Sequence, residues 1–157
     1  MKIAGEVRPA GTWDIASATD SVVLDADERH RRRVVMAGEG GTKFLLDLDR
    51  AAQLADGDGL VLADGSIVKV VAKVEKLVEV SMASARDRLR IAWHIGNRHT
   101  DVEVVGESLR IRRDHVLEDM LRGLGATLVP VEAPFQPESG AYAGHGHGHH
   151  HGHRHDP

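Results

Sequence analysis

The stretch VEKLVEVSMASARDRLRIAWHIGNRHT at residues 74–100, followed by DHVLEDMLRGLG at residues 114–125, decides the fold. Val74, Val78 and Val80 read as a strand. Met82, Ala85, Leu89, Ala92 or Trp93, and Gly96 then recur at helical spacing, which predicts an amphipathic helix with Arg86, Asp87 and Arg90 outward. Ser81 or Ser84 is placed to cap its start. Gly96-Asn97 is expected to stop it, since both residues tolerate the left-handed conformation that follows helix ends. Residues 101–105 and 108–111 read as short strands around Gly106-Glu107. Asp114 is the expected N-cap of a second helix, with Leu117, Met120, Leu121 and Leu124 on its apolar side and Gly125 past its end. Residues 127–131 return as a last strand, after which Pro130, Pro134 and Pro137 are expected to end regular structure. The order βαββαβ is that of a ferredoxin-like split βαβ unit.

Upstream, residues 1–73 read as a small β-rich domain. Short β-branched or apolar runs at 22–24, 33–36, 42–48, 60–62 and 67–71 are separated by turn residues. Glycines at 38, 40 and 41 suit one hairpin turn, and Asp64-Gly65 is a strong two-residue hairpin signal. Residues 49–54 are expected to form a single helical turn. His30-Arg31-Arg32-Arg33 follows three acidic residues and carries no interleaved aromatics, so it reads as a solvated strand edge or turn. Asp56-Gly57-Asp58-Gly59 lacks the later Gly and Glu of a calcium loop and reads as a turn. The fold expected overall is α+β. A β-rich unit at residues 1–73 precedes a ferredoxin-like unit at 74–140, and a disordered His-rich tail follows at 141–157.

Composition narrows the function. The 157 residues contain no cysteine, which excludes disulfides, thiolate metal sites, iron–sulfur clusters and cysteine nucleophiles. Any metal must be held by N and O ligands, a set that suits Ni, Zn or Cu(II). A net charge of −4 gives no general attraction to nucleic acid or membrane. No apolar run approaches the roughly 18–20 residues of a membrane span, and the N-terminus lacks a secretory apolar core, so a cytoplasmic protein is expected. Aromatic residues are 3%, so Val, Leu, Ile and Ala must build the core, and two such small units gain from association. No nucleophile–base pair, phosphate loop or paired carboxylates stand out, and no enzyme is expected.

Histidine is the chemical signal. His99 falls on a loop after a helix end, free to turn toward a ligand, to cap carbonyls or to face water. His94, five residues earlier, cannot share a helix face with it and reads as packing beside Trp93, hydrogen bonding to backbone or supporting a ligand. His115 opens the second helix, where the positive dipole end favours a neutral imidazole; a plain surface residue is the other reading. Arg112 and Arg113 read as solvated or paired with Glu118 and Asp119. In the tail, His145, His147, His149, His150, His151, His153 and His155 alternate largely with glycine. Such a segment buries too little to fold but can wrap a divalent ion.

HIGNRHT at 94–100, RRDHVLEDMLRGLG at 112–125, FQPESGAYA at 135–143 and the histidine-rich end resemble the UreE urease accessory proteins. The resemblance runs the length of the chain. It implies a homodimeric nickel metallochaperone with a chaperone-like N-terminal β domain and a C-terminal ferredoxin-like domain. His99 from both protomers would meet at the two-fold axis as principal ligand. His115 matches a peripheral site, although Arg113 stands where some members carry a second histidine. The tail histidines would complete the interfacial site or hold extra ions. Ni(II) is the implied cargo, with Zn(II) or Cu(II) as competitors. The GTPase UreG and the urease apoprotein complex are the implied partners. A histidine-rich nickel or zinc buffer is the competing reading, and a peptide-binding module centred on the β-rich unit is a third.

Overall fold

Alternation of apolar and polar residues builds the first sheet. In β4 (Lys43–Gln53), Phe44, Leu46 and Leu48 point inward and are buried, as period-two patterning requires. The computed structural model describes residues 1–139, and the tail histidines lie outside the described residues. Besides β4, the first sheet holds β1 (Lys2–Arg8), β2 (Asp20–Leu24), β3 (His30–Ala37), β5 (Gly59–Leu62) and β6 (Ile67–Ala72), in the order β2-β6-β5-β1-β4-β3. Its core includes Ala4, Leu54, Leu60, Val68 and Val70. Gly65, at φ +86°, makes the expected turn between β5 and β6. β3 is an edge strand whose residues 30–33 are exposed, as the basic run implied.

The turn between β3 and β4 needs its glycines for a specific contact. The Asp20 carboxylate accepts the N–H groups of Gly40 (2.8 Å) and Thr42 (3.1 Å), and a Cβ on Gly38 would collide with it. These donors, Gly40 first, hold the Asp20 carboxyl down at about 2. Asp56-Gly57-Asp58-Gly59 is a turn as expected. Asp58 accepts the N–H groups of Ala10 and Ala55, and Asp56 that of Ala72.

Two expectations for this sheet are corrected. Residues 49–54 form no helical turn: β4 runs on to Gln53, opposite His30, past a register shift between Arg31 and Arg33. Helix propensity at Ala51 and Ala52 loses to the cross-strand ladder. β1 went unread because only Ala4 of its seven residues is buried. Pairing with β5 on one side and β4 on the other defines that strand.

The second sheet contains β7 (Val74–Ser81), β8 (Glu103–Val105), β9 (Ser108–Arg112) and β10 (Thr127–Pro134), in the order β10-β7-β9-β8 with all pairs antiparallel. Helices α1 (Ala85–Asn97) and α2 (His115–Gly123) complete the βαββαβ order. Val78, Val80 and Ile111 meet Ile91 and Ile95 of α1 and Leu117 and Leu121 of α2. The prolines do not end the sheet as expected, because Pro130 and Pro134 lie within β10. β10 is an edge strand, where a residue without an N–H is tolerated.

α1 also turns differently. Its buried residues are Ile91 and Ile95, while Leu89 and Trp93 are 75% and 62% exposed. In α1 both Leu89–Trp93 and Ile91–Ile95 are apolar i, i+4 pairs, and the one expected inside is outside.

The two sheets meet around Leu77, Ala26 and Phe135. The guanidinium of Arg29, 1% exposed, donates to the carbonyls of Leu24 and Leu54 (3.3 Å each) and of Phe135. Arg112 does not pair with Glu118 or Asp119. It reaches Asp27 (2.9 Å), Asp101 (3.0 Å) and Glu75 (3.5 Å) and lies over the Phe135 ring. Arg113 takes Glu118 at 3.1 Å. No helix among the described residues is long and apolar enough to cross a membrane.

Candidate metal centre

His99 owes its position to the way α1 ends. Ser84 starts the helix by accepting the N–H of Asp87 at 3.1 Å. At the other end Gly96 and Asn97 both stay helical, contrary to expectation, and Arg98 is the C-cap. The left-handed residue is His99 itself, at φ +55°, the one non-glycine with positive φ among the described residues. Its N–H donates to the Gly96 carbonyl at 3.1 Å. A side chain in this conformation costs about 1–2 kcal/mol, although His tolerates it better than most. The exposed imidazole therefore stands one step past the negative end of a helix dipole, a setting that favours a nearby cation.

His94 stays on the helix, half-buried, with its ring edge-on to Trp93 at 5.0 Å. That is the packing role among its open readings. Leu89 and Trp93 form an uncovered apolar stripe leading to His99. Beside them a groove of about 390 Å³ runs between α1 and the β8–β9 hairpin, lined by Met82, Ala85, Ala92, Val104 and Leu109.

His115 is the first residue of α2, with its side chain 88% exposed and Nε2 3.5 Å from Asp119. Asp114 caps the helix through the N–H of Leu117 (2.9 Å), and the buried Glu118 carboxylate reaches back to the N–H of Asp114 (2.9 Å). Glu118 also pairs with Arg113 at 3.1 Å.

Among the described residues no three His, Asp or Glu side chains converge to hold a metal ion. Among the described residues His115 has Asp119 beside it at 3.5 Å, His99 belongs to no such group, and the seven tail histidines fall outside the described part. Sequence reading missed the exposed α1 stripe. The signal that marks it is the second i, i+4 pair, Leu89 and Trp93, on one short helix.

Two sheets and two capped helices, with the imidazoles of His99 and His115 exposed, define a small α+β protein among the described residues. The model of the UreE urease accessory protein N-terminal domain matches residues 1–73, and that of its C-terminal domain matches residues 75–156. The chain is 53% identical to the urease accessory protein UreE of Rhodopseudomonas palustris (strain BisB18) over 140 residues, which are 89% of this chain and 66% of that protein. It is 50% identical to that of Beijerinckia indica over 146 residues, 93% of this chain and 84% of the relative. It is 45% identical to that of Rhizobium rhizogenes over 138 residues, 88% and 82%. The chain spans 59–66% of the length of several relatives it matches at 53–54% identity. The chain belongs to the UreE urease accessory protein family.

Proposed function

We propose that this protein is a cytoplasmic nickel metallochaperone that binds Ni(II) between two copies of itself and delivers it for assembly of the urease active site. The observation that carries this reading is the exposed His99, held in a left-handed turn at the end of a helix whose Leu89–Trp93 stripe has no cover. A two-fold contact through that stripe brings identical groups together, so one imidazole per chain becomes two. Tethered tail imidazoles, His145 to His155, then raise the coordination number at high effective concentration. A site finished by a tether can be dismantled ligand by ligand, which suits a donor. His115 and Asp119 offer a weaker peripheral site.

In this reading residues 1–73, 74–140 and 141–157 are three functional units: a partner-facing β domain, a dimerising metal domain and a metal-gathering tail. The GTPase UreG is the immediate acceptor and the urease apoprotein complex the destination. Zn(II) and Cu(II) compete for the same N and O ligands, and Cu(II) outranks Ni(II) in intrinsic affinity, so selectivity rests on supply and partners. Imidazoles bind metal only when deprotonated, so Ni(II) affinity falls as the solution is acidified.

Calorimetric Ni(II) titration of full-length protein, a truncation after Ala143 and full-length His99→Ala tests the reading. The truncated protein is expected to keep one tight ion per dimer and His99→Ala to lose it. If tight binding leaves with the tail while His99→Ala matches wild type, the protein is a histidine-rich buffer instead.

A further inference from the structure

The outer face of the first sheet carries apolar side chains left open to solvent. Cross-strand register sets Val35 of β3 opposite Leu45 of β4, and Leu45 opposite Ile3 of β1. Paired residues share a face, so the three form one row across the sheet. Val35 and Ile3 are 57% and 47% exposed, and Leu45 is half-buried. Next to this row a groove of about 220 Å³ lies between β3 and β2, the two edge strands of the sheet. Val22, Leu24, Val34 and Met36 line it, together with the exposed Val23 and Val35. At one end the two edges are joined by the Glu39 N–H, which donates to the Ser21 carbonyl at 2.8 Å. Small-molecule pockets begin at roughly 300 Å³; this recess suits one large apolar side chain.

Cations border the same face. Arg33 and Lys43 lie two residues along their strands from Val35 and Leu45, hence on the same side of the sheet. Arg31 lines the groove. Arg33 meets Asp47 only at 4.0 Å, and no carboxylate pairs with Arg31, Arg32 or Lys43 among the described residues. Glu28, which also lines the groove, spends its carboxylate on the Asp25 N–H at 3.1 Å. A chain of net charge −4 thus keeps uncommitted cations around an apolar face.

A basic edge strand alone would serve to keep a second copy off. The row and the groove are more than such a guard requires. A two-fold contact through this face sets cation against cation, which disfavours a second copy as its occupant. Three side chains and a recess also present far less apolar surface than a membrane-binding face.

The geometry points to this face as a docking surface for an extended segment of another protein, with one or two large apolar side chains flanked by carboxylates. One apolar side chain fills the groove between β2 and β3, and its neighbour lies on the row of Val35, Leu45 and Ile3. The flanking carboxylates meet Arg31, Arg33 and Lys43. The inference rests on the partner-facing role given above to residues 1–73 and supplies its surface and its chemistry.

The test uses the full-length protein without metal, so its failure leaves the nickel reading standing. The probe is a fluorescent peptide of two leucines flanked on each side by two aspartates. Wild type is expected to bind it, and to bind the lysine-for-aspartate peptide about tenfold or more weakly. In ¹⁵N spectra the aspartate peptide should shift the amide signals of Ile3, Val23, Val35 and Leu45. Arg31→Glu with Arg33→Glu, and separately Val35→Asp, should each weaken binding about tenfold or more. All these positions are exposed, and circular dichroism checks that the variants fold. Equal binding of the two peptides, or shifts confined to Leu89 and Trp93 of α1, would overturn the proposal. Binding to phosphatidylserine vesicles with none to the peptide would overturn it too, making the face a lipid contact.

Discussion

Both helices end on a left-handed residue just past the cap, but the residue differs. α2 ends at the Leu124 cap with Gly125 at φ +91°; the N–H of Gly125 bonds the Arg122 carbonyl and that of Ala126 bonds the Leu121 carbonyl. This is the six-to-one and five-to-two pairing that a left-handed glycine permits without strain. α1 ends at the Arg98 cap with His99 in the glycine position. One end is resolved in favour of folding. The other keeps a side chain where backbone preference asks for none, and that side chain is an exposed imidazole beside an uncovered apolar stripe. The α1 end thus carries backbone strain that the α2 end avoids.

The sharpest way to break the comparison is His99→Gly, which makes the two ends alike. Ni(II) affinity of the dimer is expected to fall on the order of a hundredfold, about 2.7 kcal/mol. Relief of the left-handed strain is expected to stabilise the fold by roughly 0.5–1 kcal/mol. Calorimetry and urea midpoints read the two effects separately, and a destabilised His99→Gly would contradict the strain argument. Next in size is Leu89→Glu with Trp93→Glu, which places charge on the stripe of α1 that α2 lacks. Sedimentation velocity should show monomers with an unchanged circular dichroism spectrum. A dimer that survives both substitutions puts the contact elsewhere.

Gly125→Ala tests the other end and should cost about 1–2 kcal/mol, read as a lowered urea midpoint with Ni(II) binding intact. The smallest effect is expected from Asp20→Asn, a turn in which a carboxylate does the satisfying. The folded Asp20 carboxyl sits at about 2 against an ordinary 3.8. Its contribution is therefore fully present above about pH 4 and is lost as pH falls toward 2. The Tm gap between wild type and Asp20→Asn should be widest at neutral pH and close in acid, and a gap that widens in acid would reverse the sign of the argument.

Much of this was legible from sequence where local rules and tertiary packing agree. Asp114, Leu117, Leu121 and Gly125 read correctly as cap, buried face and stop, because one helix face alone is apolar there. α1 misled because Leu89–Trp93 and Ile91–Ile95 are both apolar i, i+4 pairs, and periodicity cannot say which one meets the sheet. Arg112 misled because its partners Asp27 and Glu75 are distant in sequence, so no local spacing announces them. His99 was legible as a loop imidazole, but its left-handed backbone was not, since two residues that accept that conformation more readily stand just before it. His30 looked like part of a basic run, and only the Gln53 pairing across the β4 extension distinguishes it.

The prolines of β10 bear on assembly. An edge strand with a full row of donors invites a second copy to extend the sheet, and each extension exposes another edge, so growth is open-ended. Pro130 and Pro134 interrupt that row. In the metallochaperone reading proposed above, bound ions can bridge one copy to another. Blunting β10 discourages such encounters from growing into fibres and leaves association to a contact that closes on itself.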